Sequence, residues 1–339
     1  MKILFHSNQL SLRGTEVAMY DYAHYNEEIL HNSSIIASKR LGQHHPLAVH
    51  KFQSRFTVIY YDNLDELQKY ADENNIDIFY TIKAGENDGV LLKGVKNCVH
   101  VVFKNREPHG EVYAYVSEWL SQEMSGGTLP FVPHMVTLPQ ETESLRRELG
   151  IPEHAIVFGR HGGWETFDIP FVKRLVYAVA SKRPDIYFLF MNTENFVETR
   201  NYYKKKWLNQ IIGPVRFANK QLSNILFLEG TSDLCRKARF IQTCDAMLHA
   251  RSQGETFGIA CGEFSIFNKP VITCNAKNIK ECSHIAILGD KGMYYANHAE
   301  LADILTHFTA SPHSDYDAYS REFNPTAVMN RFKKVFIDS

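Results

Sequence analysis

The chain is predicted to be an α/β protein of two doubly wound parallel-sheet lobes facing a cleft. Three observations carry that expectation. At 339 residues the chain exceeds what one hydrophobic core usually serves, so its length favours two domains. Short β-rich runs alternate with helical patterns along nearly its whole length, the βαβ rhythm of a parallel sheet covered on both faces. The rhythm breaks between residues 126 and 139 into glycine, proline and short apolar pieces, which places a junction near Leu138. The expected domains are residues 1–138 and 139–317, followed by a terminal segment, 318–339.

In the first half, strands are expected over 2–6, 34–37, 57–61, 77–81, 98–103 and 113–116, where β-branched and aromatic residues concentrate. Helical periodicity covers 15–30, 64–74 and 117–124, with long polar connections at 39–53 and 84–87. The second half repeats the pattern, with strands over 155–159, 186–191, 225–228, 246–249, 270–273 and 293–295. Its helices fall at 169–181, 233–242, 257–267 and 299–308, and an amphipathic helix with Val328, Phe332, Val335 and Phe336 on its apolar side closes the chain over 325–337.

Composition excludes several function classes. With 37 basic and 38 acidic residues the formal charge is −1, so no global field attracts nucleic acid or an anionic membrane, and phosphate recognition has to be local. The 6 cysteines show no paired spacing and most lie in apolar runs, which points to buried reduced thiols and a reducing, cytoplasmic setting. No stretch approaches the roughly 20 apolar residues of a bilayer span. The 16 histidines are scattered without a metal-binding spacing, so no metal and no cofactor are expected.

Ligands of open α/β sheets lie outside the carboxyl ends of the strands, and the residues just after each strand carry the site. The most informative stretch is 249–273, HARSQGETFGIACGEFSIFNKPVIT, which sets Glu255 and Glu263 around the turn Thr256-Phe257-Gly258. A helix opening near Phe257 would aim its free N–H groups at an anion, with Glu255 beside the ligand and Glu263 two turns further along. That arrangement suits a sugar nucleotide, one acid for the sugar and the other for the ribose. Taken alone, two glutamates at this spacing are more often the polar face of an amphipathic helix.

After the first strand comes Arg13-Gly14-Thr15-Glu16, where Gly14 permits close backbone approach and Thr15 is placed to cap the next helix. After the strand over 155–159 comes Arg160-His161-Gly162-Gly163, a guanidinium placed to fork onto two phosphate oxygens. His100 sits near the end of the apolar strand over 98–103, where a satisfied core histidine is the commoner outcome, and His109 competes for the same place.

The segment from Glu255 to Ile272 resembles the donor-site signature of retaining glycosyltransferases of family 4, which have the GT-B fold of two Rossmann-like domains. In that signature an acid, a Phe-Gly turn, a second acid after seven intervening residues and a small-x-Pro-Val-Ile run follow one another. Here they are Glu255, Phe257-Gly258, Glu263 and the run from Asn268 to Ile272. Arg13-Gly14-Thr15-Glu16 resembles the family's Gly-Gly-Thr-Glu loop on the donor diphosphate, with Arg13 in the first glycine's place. Gly159-Arg160 is similar to its strand-Gly-Arg donor motif, and His100 to its cleft histidine. The loop Glu229-Gly230-Thr231 is similar to the one beside the nucleobase, where backbone groups of Gly230 and Thr231 would read a base edge. The lysine that members carry about five residues after the arginine is absent; Glu165, Thr166, Phe167 and Asp168 stand there.

The resemblance implies metal-independent, retaining transfer of a hexose from a nucleoside diphosphate sugar, of GDP-mannose or UDP-glucose type, to a glycan or other hydroxyl acceptor. Glu255, His100 and Arg160 would be catalytic. Gly14, Thr15, Arg160, Gly230, Thr231, Glu255, Thr256, Phe257, Gly258 and Glu263 would bind the donor. It further implies that the terminal helix crosses back onto the first lobe. Two alternatives remain open at this stage: a sugar-nucleotide epimerase on the same fold, and a catalytically weakened nucleotide- or glycan-binding protein, which the absent lysine and Arg13 would favour.

Overall fold

A computed structural model describes residues 1–197, 221–309 and 313–339, together with the short strands Arg200–Asn201 and Arg216–Phe217. Two six-stranded parallel sheets organise the chain. The first contains β1 (Lys2–Ser7), β2 (Ser33–Lys39), β3 (Thr57–Tyr61), β4 (Ile78–Lys83), β5 (Lys96–Val101) and β6 (Val112–Tyr115), in the order β3-β2-β1-β4-β5-β6. The second contains β7 (Ile156–His161), β8 (Ile186–Met191), β11 (Ile225–Leu228), β12 (Ala246–Leu248), β14 (Val271–Cys274) and β16 (Met293–Tyr295). Between them in sequence lie the antiparallel pair β9 (Arg200–Asn201) and β10 (Arg216–Phe217), and the parallel pair β13 (Gly254–Glu255) and β15 (Glu281–Cys282). The second sheet runs β11-β8-β7-β12-β14-β16, which is the same doubly wound order as the first. Each sheet therefore reverses its winding at its centre, between β1 and β4 and between β7 and β12, and there a crevice opens at the carboxyl ends.

The helices begin where local chemistry starts them. Around the first sheet run α1 (Gly14–Glu28), α2 (Pro46–Gln53), α3 (Leu64–Asn74) and α4 (Glu118–Ser125). Asn63 caps α3 by accepting from Glu66 N, while Glu66 reaches back to the Asp62 N–H, a reciprocal box that satisfies two orphan donors. Around the second run α5 (Arg146–Leu149), α6 (Pro170–Lys182), α7 (Leu234–Thr243), α8 (Ile259–Ser265), α9 (Ser283–Leu288) and α10 (His298–His307). Asp233 caps α7 through Cys235 N and Arg236 N, and Asn297 caps α10 in the same way.

Two segments differ from the sequence expectation. The connection over 39–53 contains α2, started by His45, which accepts from Leu47 N, and by Pro46 at the first helical position. Thr15 lies inside α1 and caps nothing; the cap position is Arg13, without a side-chain hydrogen bond, and Ser11 Oγ accepts from Arg13 N instead.

The final helix α11 (Pro325–Phe332), continued by a π-helical turn over Lys333–Ile337, lies on the first lobe. Phe332 stands 5.4 Å from the Tyr22 ring and 5.3 Å from Tyr80, and Phe336 stands 5.2 Å from His100. All 6 cysteines are free thiols, and Cys98, Cys244, Cys261 and Cys274 are buried. Among the described residues no helix is long and apolar enough to cross a membrane.

Candidate functional site

The two crevices face each other, and their walls are the loops that follow β1, β7, β8, β11 and β12. On the first lobe, Glu16 at the start of α1 is buried and accepts from Ser7 Oγ at 3.0 Å and from Ser11 Oγ, which ties down the β1–α1 loop. Burial pushes its carboxyl above the ordinary range, against those two hydrogen bonds. A Cβ on Gly14 would stand 3.6 Å from Ile259 Cδ1, so this loop meets the start of α8 across the cleft.

The Glu255 turn is the most constrained part of the second lobe. β12 ends at Leu248, and the chain turns through Gly254 at φ +82° so that β13 pairs with β15. A Cβ on Gly254 would lie 1.9 Å from the Glu281 carbonyl oxygen, closer than any real contact. Gly254→Ala is expected to cost about 1–3 kcal/mol through backbone strain, or more where β15 has to move. A denaturant midpoint equal to wild type would contradict this.

The Glu255 carboxylate, about a quarter exposed, receives His249 Nε2 at 3.2 Å and Arg251 Nη1 at 2.6 Å. Burial alone would raise its pKa, but the His249 hydrogen bond and the Arg251 charge more than offset it and hold the group at about 2. His249 in turn accepts from Thr273 Oγ1 at 2.8 Å, and Thr273 accepts from His284 Nε2 at 3.1 Å, while the buried His284 Nδ1 has no partner. Burial drives His284 down to about 3, so it is neutral and orients the chain without adding charge.

Thr256 and Phe257 face the other way. The Thr256 carbonyl accepts from Ser117 Oγ at 2.6 Å, which fastens the first lobe to the turn. Phe257 is buried against Phe323, at 5.2 Å, and His134, at 5.3 Å. Gly258 has φ +89° and forms the amino-terminal cap of α8, which therefore opens two residues later than the sequence suggested and spans only 7 residues. A Cβ there would meet His284 Cβ at 2.8 Å, so the glycine is required.

Arg160 does not hold a free fork toward the cleft. It is buried, and its Nη1 donates to Asn192 O and Thr193 Oγ1 while Nη2 donates to Gly163 O at 2.8 Å and Thr166 Oγ1 at 2.5 Å. All four terminal N–H groups are consumed. Burial lowers its pKa to about 10, with the Glu255 charge opposing, and the group stays cationic. Its work here is to join the Gly162–Asp168 loop to the end of β8. Asn192, at φ 50°, extends the junction by donating to Gly162 O at 2.7 Å, and a Cβ on Gly230 would stand 3.0 Å from Asn192 Oδ1.

Glu263 also has partners that its sequence position did not reveal. Its buried carboxylate takes Lys237 Nζ at 2.7 Å, and His161 Nε2 lies 3.1 Å from the other oxygen without the alignment of a hydrogen bond. Lys237 and His161 line the cleft pocket, together with Gly230 and Thr231 from the loop after β11; Glu263 sits behind them. Burial pushes His161 down to about 4 despite Glu263, so it is neutral. From the first lobe, Ser11, Glu16, Tyr20 and Lys51 complete the same pocket. Lys51 lies 4.0 Å over the Tyr20 ring.

His100 is a core residue and does not reach the cleft. It is 0% exposed, donates from Nε2 to Val132 O at 2.8 Å and accepts at Nδ1 from the Tyr80 hydroxyl at 2.5 Å. Burial lowers it to about 3. The strand expected to end at Phe103 ends at Val101, and the π-helical turn that continues α11 covers the face on which His100 lies. His109, at the surface loop before β6, hydrogen-bonds Glu107 O at 2.6 Å and is likewise not part of the pocket.

Asp21, Lys51 and Lys237 were not singled out by the sequence. Lys237 lies one turn into the helix after the Gly230 loop, so the strand-end rule could have found it; nothing local marked Asp21 or Lys51. Burial pushes Asp21 from 3.8 up to about 7, against the pull of Lys51 and Lys237. A raised acid keeps its proton in the folded chain where the unfolded chain has lost it, so stability falls as pH rises from about 4 to 7 and then levels off. Asp21→Asn is expected to raise Tm at pH 8 by about 2–4 °C and to leave it unchanged at pH 4. A gain independent of pH would contradict the assignment.

Comparison with family profiles and with curated proteins gave no match. Solved structures do match over the full chain. Anabaena HepE in complex with UDP-glucose aligns with TM-score 0.71 at 15% identity over 100% of both chains. A glycosyltransferase from Rickettsia africae aligns with TM-score 0.65 at 15% identity, over 100% of this chain and 99% of that one. A putative UDP-N-acetylglucosamine 2-epimerase from Listeria monocytogenes aligns with TM-score 0.57 at 11% identity, over 100% and 97%. With both sheets wound alike and whole-chain likeness of this kind, the architecture is decided. The fold is GT-B.

Proposed function

We propose that this protein is a glycosyltransferase that moves a hexose from a nucleoside diphosphate sugar to a hydroxyl acceptor on a glycan or similar molecule, with retention and without a metal ion. The observation that carries this reading is the cleft pocket at the carboxyl ends of both sheets, where Lys237, His161, Gly230 and Thr231 face Ser11, Glu16 and Lys51 across the lobes. Uridine is the proposed base, since a structural neighbour holds UDP-glucose in the same fold.

In this reading Glu255 is the catalytic residue. Its carboxylate, anionic at every working pH, would accept hydrogen bonds from sugar hydroxyls and stabilise the positive charge that develops at the anomeric carbon. Arg160 supports the reaction by fixing the loop after β7, and Glu263 by holding Lys237 on the pocket wall. The loop before Gly14 and the start of α8 at Gly258, which it meets across the cleft, would approach the diphosphate from the two lobes, while Thr256 and Phe257 hold the turn against the first lobe. The pocket encloses about 80 Å³. Ordinary small-molecule sites hold roughly 300–1,000 Å³, so the proposed cycle includes separation of the lobes to admit the donor and closure to exclude water.

The Listeria neighbour favours a second reading, epimerisation of a sugar nucleotide. Nucleotide release from a panel of sugar nucleotides separates the two. Transfer predicts release that depends on acceptor; epimerisation predicts a changed sugar with no net release; a binding protein shows affinity and neither product. Absence of acceptor-dependent release across UDP- and GDP-sugars would overturn the proposal.

A further inference from the structure

The cleft lacks the lysine expected after Arg160, and Arg160 itself has no terminal N–H to spare, so the negative charge of a nucleoside diphosphate has to be met elsewhere. Among the described residues two ammonium groups line the pocket, one from each lobe. Lys237 projects from α7 of the second lobe and is aimed by Glu263 at 2.7 Å, with its side chain 12% exposed. Lys51 projects from α2 of the first lobe, steadied by the face of Tyr20 at 4.0 Å. We infer that Lys51 and Lys237 form a cross-lobe clamp for the diphosphate of the donor, replacing the missing lysine.

The chemistry supports a polyanion over a neutral ligand. An ammonium has three N–H donors, and Glu263 takes one from Lys237, which leaves two for a ligand oxygen. Burial lowers the Lys51 pKa against the pull of Asp21, and repulsion from Lys237 across the cleft adds to the lowering. A diphosphate between them converts the repulsion into two attractions and draws the lobes together, which ties closure to the charge of the ligand. Asp21 and Glu263 are the acids whose charge acts on Lys51, Glu16 lines the same pocket, and Asp21, held near pH 7, is partly neutral when the pair is charged. The clamp rests on the proposed function only for the nature of the ligand; a pyrophosphate group alone satisfies it.

The test is titration calorimetry of the full chain with UDP, uridine and inorganic pyrophosphate, for wild type, Lys51→Met, Lys237→Met and Lys237→Arg. Each methionine variant is expected to weaken UDP and pyrophosphate by about tenfold or more, leave uridine within about twofold, and flatten the salt dependence of UDP binding. Lys237→Arg keeps the charge and is expected to recover most of the affinity, which also guards against a methionine variant that fails to fold. Equal losses for UDP and uridine, or no loss for either, would overturn the clamp. If wild type binds pyrophosphate but no nucleotide, and the methionine variants lose pyrophosphate, the clamp stands and the glycosyltransferase reading falls.

Discussion

Glu255→Gln is expected to lower acceptor-dependent nucleotide release by about a hundredfold or more while leaving UDP affinity within about threefold. The substitution keeps the volume of the turn and one of its two contacts, since the single glutamine oxygen can still accept from either Arg251 or His249. What it removes is a charge held at about 2 by His249 and Arg251. A positive charge developing at an anomeric carbon in a dry cleft loses most from that change, and the loss falls on the rate and spares ground-state binding. Initial rates at saturating donor check it. A rate within about twofold of wild type would remove Glu255 from the reaction.

Phe332→Ala is expected to destabilise the chain by about 3–5 kcal/mol. The side chain is fully buried where the last helix lies on the first sheet, with its ring 6.3 Å from Phe5, 5.4 Å from Tyr22 and 5.3 Å from Tyr80. Packed aromatics on three sides leave little freedom to collapse into the space, so a cavity persists. Tyr22 also donates to Pro133 O at 2.8 Å, and loosening it reaches the segment that joins the lobes. Chemical denaturation measures the loss. A value below about 1 kcal/mol would mean that the terminal helix contributes little to the first lobe.

The architecture was legible because each sheet strand is a short apolar run bounded by turn residues. The strands Ile186–Met191 and Ile225–Leu228 and the helix Leu64–Asn74 have the bounds read from the sequence. The helix Pro46–Gln53 was not read, because only Leu47, Ala48, Val49 and Phe52 interrupt a polar stretch and its start signal, His45-Pro46, is a weak one. That omission mattered, since this helix delivers Lys51. The Glu255 turn was legible as a place but not as a network: the partners His249, Thr273 and His284 come from three elements.

Roles were harder to read than positions. A strand-end arginine looks alike whether its N–H groups meet a phosphate or the carbonyls of neighbouring loops, and Arg160 meets the loops. His100 sits on a strand whose exposed end is capped by a helix more than 200 residues downstream, a contact that no local pattern encodes. Glu263 carried the right spacing, yet Lys237 stands between it and the pocket.

The most direct measurement is calorimetric titration of the full chain with UDP, GDP and ADP. One site per chain is expected, with a preference for the uridine nucleotide and loss of that affinity in Lys237→Met. Failure of all three nucleotides to bind at millimolar concentration would contradict that expectation.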